Sequence, residues 1–343
     1  MRNSRLSHAV ISRCNGPISP LKHLSPAKRP NVTDQSCLDL PARHWTGDRP
    51  DRPPMHRSPA CFKQSRAAVT TVTATVGYLK KQQERPFNYA TEPPAGTPWE
   101  NYERDERPVS IIDVRHREVR PLLHEEGFSL WDAHSQVCDF HDSDEVVRCY
   151  YPEVAELACV ATGATRAYVF DHMLRTGASQ RAPLGFGRSA SARPPAANGQ
   201  VHNDYTEESG RRRVTLVLGE SVSQGFSSRY SIVNVWRSIR GPVLDTPLAV
   251  CDSRTIDISD LVSAQVHYPD RTGEIYLGLY SSHHRWYYFS SMDRPEALVF
   301  KQFDSRISGV SRLTLHSAFQ HPDAPADAPP RESVEARCLV VYE

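Results

Sequence analysis

A chain of 343 residues has room for one large domain or two of medium size, and for a substantial core. A formal net charge of +1, from 41 Lys and Arg against 40 Asp and Glu, gives no electrostatic basis for nucleic acid or an anionic membrane as the main partner. Eight cysteines, at positions 14, 37, 61, 138, 149, 159, 251 and 338, form no CxxC pair and no zinc-ribbon spacing, and no apolar run is long enough to cross a bilayer or to serve as a signal core, so a cytoplasmic protein with reduced thiols is expected.

Residues 1–66 are rich in Arg, Pro, Ser and His, have no helical or strand period, and cannot bury enough apolar surface to offset chain entropy. They read as a disordered extension. Its basic opening third, with no acid before Asp34, is faintly similar to an organellar transit peptide, although a dispensable extension is the favoured reading. The ordered domain is expected over 67–343. Val69–Val76 is β-branched and alternating, a first strand, and Val109–Val114 a second, after a Pro-rich connection from Pro86 to Pro98. The run up to Leu130 is ambiguous. Tyr151–Ala161 predicts a helix, with Pro152 at its start, acids in the first turn, Gly163 beyond its end, and Leu157, Val160 and Ala161 on one face. Arg166–Phe170 predicts a strand.

From Thr176 to Gly199 the chain is Gly, Ser, Ala and Pro with scattered Arg, a loop that reads equally as a mobile lid or as ordinary variable surface. Val201–Thr206 then predicts a strand, and Val214, Val217 and Leu218 a short helix within Arg211–Leu218. Strand-like runs follow at Tyr230–Ile239, Leu248–Cys251, Glu274–Tyr280, Trp286–Phe289, Leu298–Phe303, Leu313–Phe319 and Ser333–Tyr342. Many short strands with turn residues between them indicate a mainly β fold with flanking helices, a sandwich or jelly roll such as the double-stranded β-helix.

Two stretches carry chemistry. On an extended strand His202 and Asp204 project to the same side, where an imidazole and a carboxylate suit Fe(II) if a third ligand arrives from elsewhere. The same His-x-acid spacing recurs at His116/Glu118, His124/Glu126 and His321/Asp323, so the motif alone is weak. On the last strand Arg331, Ser333, Glu335 and Arg337 share one face by period two. If that face is buried, two Arg and a Ser suit a dicarboxylate, held by a charge-assisted fork and a hydroxyl; an Arg/Glu lattice on an exposed edge strand is the alternative. Asn234 and Trp236 read as pocket lining or as core. His284–Tyr288 reads as an interior aromatic layer in preference to a substrate contact, His283 as solvent-facing, and Lys301 with Asp304 as a structural ion pair.

The ordered set Pro194-Pro195, His202-Asn203-Asp204-Tyr205-Thr206, Asn234-Val235-Trp236-Arg237, Gly241-Pro242-Val243, Pro247-Leu248-Ala249, His284-Arg285-Trp286-Tyr287-Tyr288-Phe289, Lys301, Asp304-Ser305, His316-Ser317-Ala318-Phe319 and Arg331 to Arg337 resembles the AsaB-type hydroxylase/desaturase family, also described as gibberellin-desaturase-like and related to the cephamycin methoxylation protein CmcJ. The resemblance implies a double-stranded β-helix that uses Fe(II), 2-oxoglutarate and dioxygen to hydroxylate, desaturate or oxidatively cyclise a small molecule, often in fungal secondary metabolism. It also implies His202, Asp204 and His316 as metal ligands and catalytic centre, and Arg331 with Ser333 as the 2-oxoglutarate anchor. A Pro-rich insert separates His316 from Arg331, which leaves Arg337 as a second candidate for that anchor. The alternatives are a metal-dependent oxygenase or cyclase on the same fold that does not use 2-oxoglutarate, and a jelly-roll binding protein without catalysis.

Overall fold

The computed structural model describes residues 70–115, 117, 119–176, 197–220 and 227–343. The expectations for the N-terminal extension and for most of the Gly/Ser/Pro loop therefore lie outside the described residues. Among the described residues there are fourteen strands: β1 (Thr71–Leu79), β2 (Phe87–Tyr89), β3 (Arg104–Asp113), β4 (Phe128–Asp132), β5 (Arg166–Thr176), β6 (His202–Asn203), β7 (Tyr230–Ser238), β8 (Leu248–Cys251), β9 (Leu261–His267), β10 (Thr272–Gly278), β11 (Trp286–Tyr288), β12 (Glu296–Asp304), β13 (His316–Ala318) and β14 (Glu332–Val341). They form a nine-stranded sheet in the order β1-β3-β11-β8-β13-β6-β10-β9-β2 and a five-stranded sheet in the order β4-β12-β7-β14-β5. Strands distant in sequence are neighbours in each sheet, and most pairs are antiparallel, as in a jelly roll.

Alternation along the strands of the five-stranded sheet decides what each face meets. Val233, Val235, Val299, Val334, Ala336, Cys338 and Val340 form one apolar cluster with helix residues Val154, Leu157 and Ala158. Their neighbours Trp236, Leu298 and Phe300 point the other way and pack with Leu248, Val250, Tyr287 and Phe289 of the nine-stranded sheet. That second face encloses the interior between the sheets.

The chain reaches the outer face through α1 (Ser143–Glu145), a π-helical turn (Val146–Tyr150) and α2 (Tyr151–Thr162). Helix α2 ends at Gly163, whose φ of 72° is the left-handed conformation that closes a helix at least cost in glycine. The buried stripe of α2 differs from expectation. Val154, Leu157 and Ala158 face the sheet, while Val160 is 48% exposed. α3 (Glu207–Leu218) starts earlier than expected because Thr206 caps it, its hydroxyl accepting from the Ser209 N–H while its own N–H donates to the Ser209 hydroxyl. Gly210 on α3 faces the Phe303 ring so closely that a Cβ would lie 2.5 Å from it.

Three strands escaped the sequence pattern. β4 lies at the end of the run, up to Leu130, whose sequence is ambiguous. β2 lies inside the Pro-rich connection and pairs in parallel with β9, and in β9 Ser263 and Gln265 dilute the apolar alternation. The expected strands at Val201–Thr206 and Leu313–Phe319 shrink to two and three residues. Among the described residues, no helix is long and apolar enough to cross a membrane.

Candidate active site

The two shortest strands carry the site. β13 lies between β8 and β6, so His316 pairs directly with His202 across the ladder, and the two rings have centroids 4.2 Å apart. Asp204 is not on the strand, contrary to the sequence reading. β6 ends at Asn203, and Asp204 occupies the bend before α3. The bend is pinned from the opposite sheet. β12 shifts register against β7 between Lys301 and Phe303, and at that bulge Gln302 accepts the Asp204 N–H through Oε1 at 2.7 Å, while its backbone carbonyl accepts from Asn203 Nδ2 at 2.9 Å. Bulges beside sites re-aim a side chain in this way.

The result is the same convergence that a strand would have given. His202, Asp204 and His316 each offer one donor atom, all within 4.8 Å of one another, in a buried or half-buried setting. His202 Nδ1 lies 2.7 Å from the Gln200 carbonyl, which assigns the ring proton to Nδ1 and leaves the lone pair on Nε2, 3.5 Å from Asp204 Oδ1. Burial pushes the His316 imidazole down to about 3, with His202 adding to the effect, so the ring is neutral and able to ligate. Burial alone would raise the Asp204 carboxyl. The Arg337 guanidinium and the contact with His202 outweigh it and hold the group well below the usual carboxylate range. Among the described residues no fourth His, Cys, Asp or Glu joins the three donors. Two imidazoles, one carboxylate and no closing fourth ligand fit a ferrous ion with open positions. Phe300, 4.9 Å from the His316 ring between centroids, seals one side.

The inner face of β14 is buried, so the exposed-lattice reading of it does not hold. Arg331 is 3% exposed, Ser333 1% and Glu335 7%. Arg331 donates from Nη1 to the Thr246 carbonyl at 2.7 Å and lies over the Trp236 ring, 5.5 Å from its centroid. Its buried Nε has no partner, and burial together with the nearby Arg175 pushes the guanidinium down to about 10. Arg337 is engaged elsewhere, donating from Nε to Asp204 Oδ2 at 2.7 Å. Arg175, opposite Ser333 on β5, also joins this face and was not anticipated.

The other conspicuous residues resolve into packing and structural pairs. Lys301 donates to Asp304 at 2.8 Å, a buried ion pair as expected. Trp286 and Tyr288 pack with β1, Tyr287 packs between the sheets, and His283 is exposed. Asn234, left open between pocket and core, donates from Nδ2 to Asp204 Oδ2 at 2.9 Å. Of the competing motifs, His124 is exposed, His321 Nε2 contacts the Tyr288 hydroxyl at 3.1 Å, and His116 with Glu118 lies outside the described residues.

Comparison with known proteins agrees with this geometry. The family described as "Oxidoreductase/YMDC permease-like domain" matches residues 76–341. Hydroxylase/desaturase efuI of Hormonema carpetanum is 29% identical, over 80% of this chain and 96% of its own. Fe(II)/2-oxoglutarate-dependent dioxygenase nvfI of Aspergillus novofumigatus is 32% identical, over 74% of this chain and 89% of its own. A solved structure of the iron and alpha-ketoglutarate-dependent endoperoxidase NvfI superposes with a TM-score of 0.68 at 27% identity, covering 81% of this chain and 99% of that one. With the two-histidine, one-carboxylate cluster set between the sheets of a jelly roll, the chain belongs to this oxidoreductase family, the Fe(II)- and 2-oxoglutarate-dependent hydroxylase/desaturases.

Proposed function

We propose that His202, Asp204 and His316 hold Fe(II), that Arg331 with Ser333 holds the distal carboxylate of 2-oxoglutarate, and that the enzyme hydroxylates, desaturates or oxidatively cyclises a small molecule in secondary-metabolite biosynthesis. The observation that carries this reading is the meeting of three ligating atoms within 4.8 Å from parts of the chain far apart in sequence. When bound, ferrous iron couples oxidative decarboxylation of 2-oxoglutarate to oxidation of the substrate by dioxygen.

The chain's own residues prepare the site for this. The Gln200 carbonyl holds the His202 ring in one tautomer. Arg331 is pre-positioned by Thr246 and Trp236, with an unpartnered Nε left to donate, and a buried cation of this kind is stabilised by an arriving carboxylate. Ser333 lies two residues on along the same face. Arg337 was the other candidate for the anchor, but its Nε is committed to Asp204. The inner face of the five-stranded sheet is divided: Arg331, Ser333, Glu335 and Arg337 lie along β14, and Trp236, Leu298, Phe300 and Phe128 along the adjoining β7, β12 and β4. Such a division suits a largely apolar substrate beside a polar cosubstrate and keeps water from the reacting atoms.

The test is succinate formation from 2-oxoglutarate by purified protein supplied with Fe(II) and dioxygen. Turnover is expected in the wild type and is expected to vanish in Asp204→Ala while far-UV circular dichroism is unchanged. Near wild-type succinate formation by Asp204→Ala would remove the metal assignment.

A further inference from the structure

The Asp204 carboxylate has two unlike oxygens. Oδ1 faces His202 Nε2 at 3.5 Å. Oδ2 receives two donors, Arg337 Nε at 2.7 Å and Asn234 Nδ2 at 2.9 Å. The donors come from facing positions of adjacent strands, since Arg337 on β14 pairs with Asn234 on β7, and Asn234 in turn pairs with Phe300 on β12, the residue against His316. One cross-strand row of the five-stranded sheet therefore forms the floor beneath the cluster.

We propose that Arg337 and Asn234 are positioning residues, a two-donor clamp that fixes Asp204 as a one-oxygen metal ligand. The inference rests on the reading of Asp204 as a ligand.

Three features of the geometry carry it. Asn234 is fully buried, and its Oδ1 has no partner. Leaving a buried acceptor unpaired costs about 1–3 kcal/mol, and the amide accepts that because the opposite orientation would set its oxygen against a carboxylate oxygen. The contact with Asp204 thus decides the orientation. Arg337 is directed likewise. Its bonds to Asp171 and Glu335 are long, 3.3 and 3.4 Å, whereas Nε to Asp204 is 2.7 Å. Finally, the Asp204 backbone N–H is held by Gln302, so the clamp acts on the side chain and fixes which oxygen faces the cluster. A carboxylate free to present both oxygens would fill a coordination position that cosubstrate or dioxygen requires.

Partners behind a metal ligand of this kind typically govern about 10- to 100-fold in metal affinity. The test is anaerobic Co(II) titration of the purified apoprotein, followed by the visible absorption of the cobalt centre, in wild type, Asn234→Ala, Arg337→Lys and His316→Ala. Asn234→Ala removes one donor together with an unpaired acceptor, so the fold is expected to survive. Arg337→Lys keeps the charge and loses the directed Nε. Each is expected to weaken Co(II) binding by about tenfold or more and to change the cobalt spectrum, while 2-oxoglutarate affinity at saturating metal stays within about threefold of wild type. Unchanged Co(II) affinity and spectrum in both variants would overturn the clamp, as would a selective loss of 2-oxoglutarate affinity in Arg337→Lys, which would place Arg337 on the cosubstrate. If His316→Ala bound Co(II) as wild type does, the three-ligand reading itself would fail. Loss of binding in His316→Ala with wild-type behaviour in Asn234→Ala and Arg337→Lys would sink the clamp alone.

Discussion

Replacing Arg331 by Met should separate stability from cosubstrate binding. In the metal- and ligand-free protein Arg331 is a buried cation whose guanidinium donates to the Thr246 carbonyl and keeps an unpartnered Nε. Burial, with Arg175 nearby, brings its pKa from the ordinary value of 12.5 down to about 10, which corresponds to roughly 3 kcal/mol against the charged form. Met fills similar space, keeps the contact with Trp236 and removes that cost. It also leaves the Thr246 carbonyl without its donor, a loss of about 1–3 kcal/mol. The two effects nearly cancel, so the apoprotein of Arg331→Met should melt within about 3 °C of wild type, at roughly 0.5 kcal/mol per degree for a domain of this size. Ligand response should differ sharply. With anaerobic Fe(II) and 2-oxoglutarate at about a hundred times its dissociation constant, wild type should gain about 2.7 kcal/mol, or about 5 °C. In Arg331→Met the gain due to 2-oxoglutarate should be lost at the same concentrations. Differential scanning fluorimetry reads both effects. A variant that melts far below wild type yet keeps the full 2-oxoglutarate shift would show that Arg331 is structural and that the cosubstrate is held elsewhere.

Other predictions concern the frame around the site. Asp304 accepts from Lys301 and Arg229, whereas Lys301 has Asp304 as its ionic partner. Asp304→Asn should therefore cost about 3–5 kcal/mol by stranding a buried ammonium, and Lys301→Met much less, because Asp304 keeps Arg229 and the Arg306 N–H; equal melting temperatures for the two variants would contradict this. Gly210→Ala should destabilise by about 1–3 kcal/mol through collision with the Phe303 ring, which outweighs the gain in helix propensity; a rise in melting temperature would show that the ring can move aside. His284, held between Tyr78 and Asp260, has its pKa lowered by burial despite Asp260. The unfolded chain therefore takes up a proton that the folded one resists, so this contribution is intact above about pH 6.5 and is lost as the pH falls. Between pH 7.5 and 5.5 it amounts to at most about 1.4 kcal/mol. Chemical denaturation of wild type and His284→Gln checks this, since the variant should show a shallower loss, and parallel curves would refute the assignment.

What the sequence disclosed follows the range of the forces involved. Period-two alternation is local, so β7, β8, β12 and β14 were legible, together with the shared inward face of Arg331, Ser333, Glu335 and Arg337. The Tyr151 helix was legible from its Pro, acids and Gly, although its stripe was misplaced by taking Val160 as inward. The site itself is non-local. No pattern near His202 signals that β13 will seat His316 against it, and Asp204 reaches its place through a bulge at Gln302 instead of by strand alternation. Arg337 was visible as a charge on the correct face, but its partner could be found only once β14, β7 and the bend after β6 were brought together. Asn234 carried a weaker signal: an amide amid Val233 and Val235 in a buried strand is costly without a partner.

The most direct test of the central claim is anaerobic addition of Fe(II) and then 2-oxoglutarate to the purified apoprotein, read as the visible charge-transfer absorption of the chelated cosubstrate. The band should develop in wild type, be absent in His316→Ala, and in Arg331→Met require far more 2-oxoglutarate. A band of wild-type strength in His316→Ala, or iron binding in wild type without any band, would contradict the assignment of His202, Asp204 and His316 as the centre at which 2-oxoglutarate is consumed.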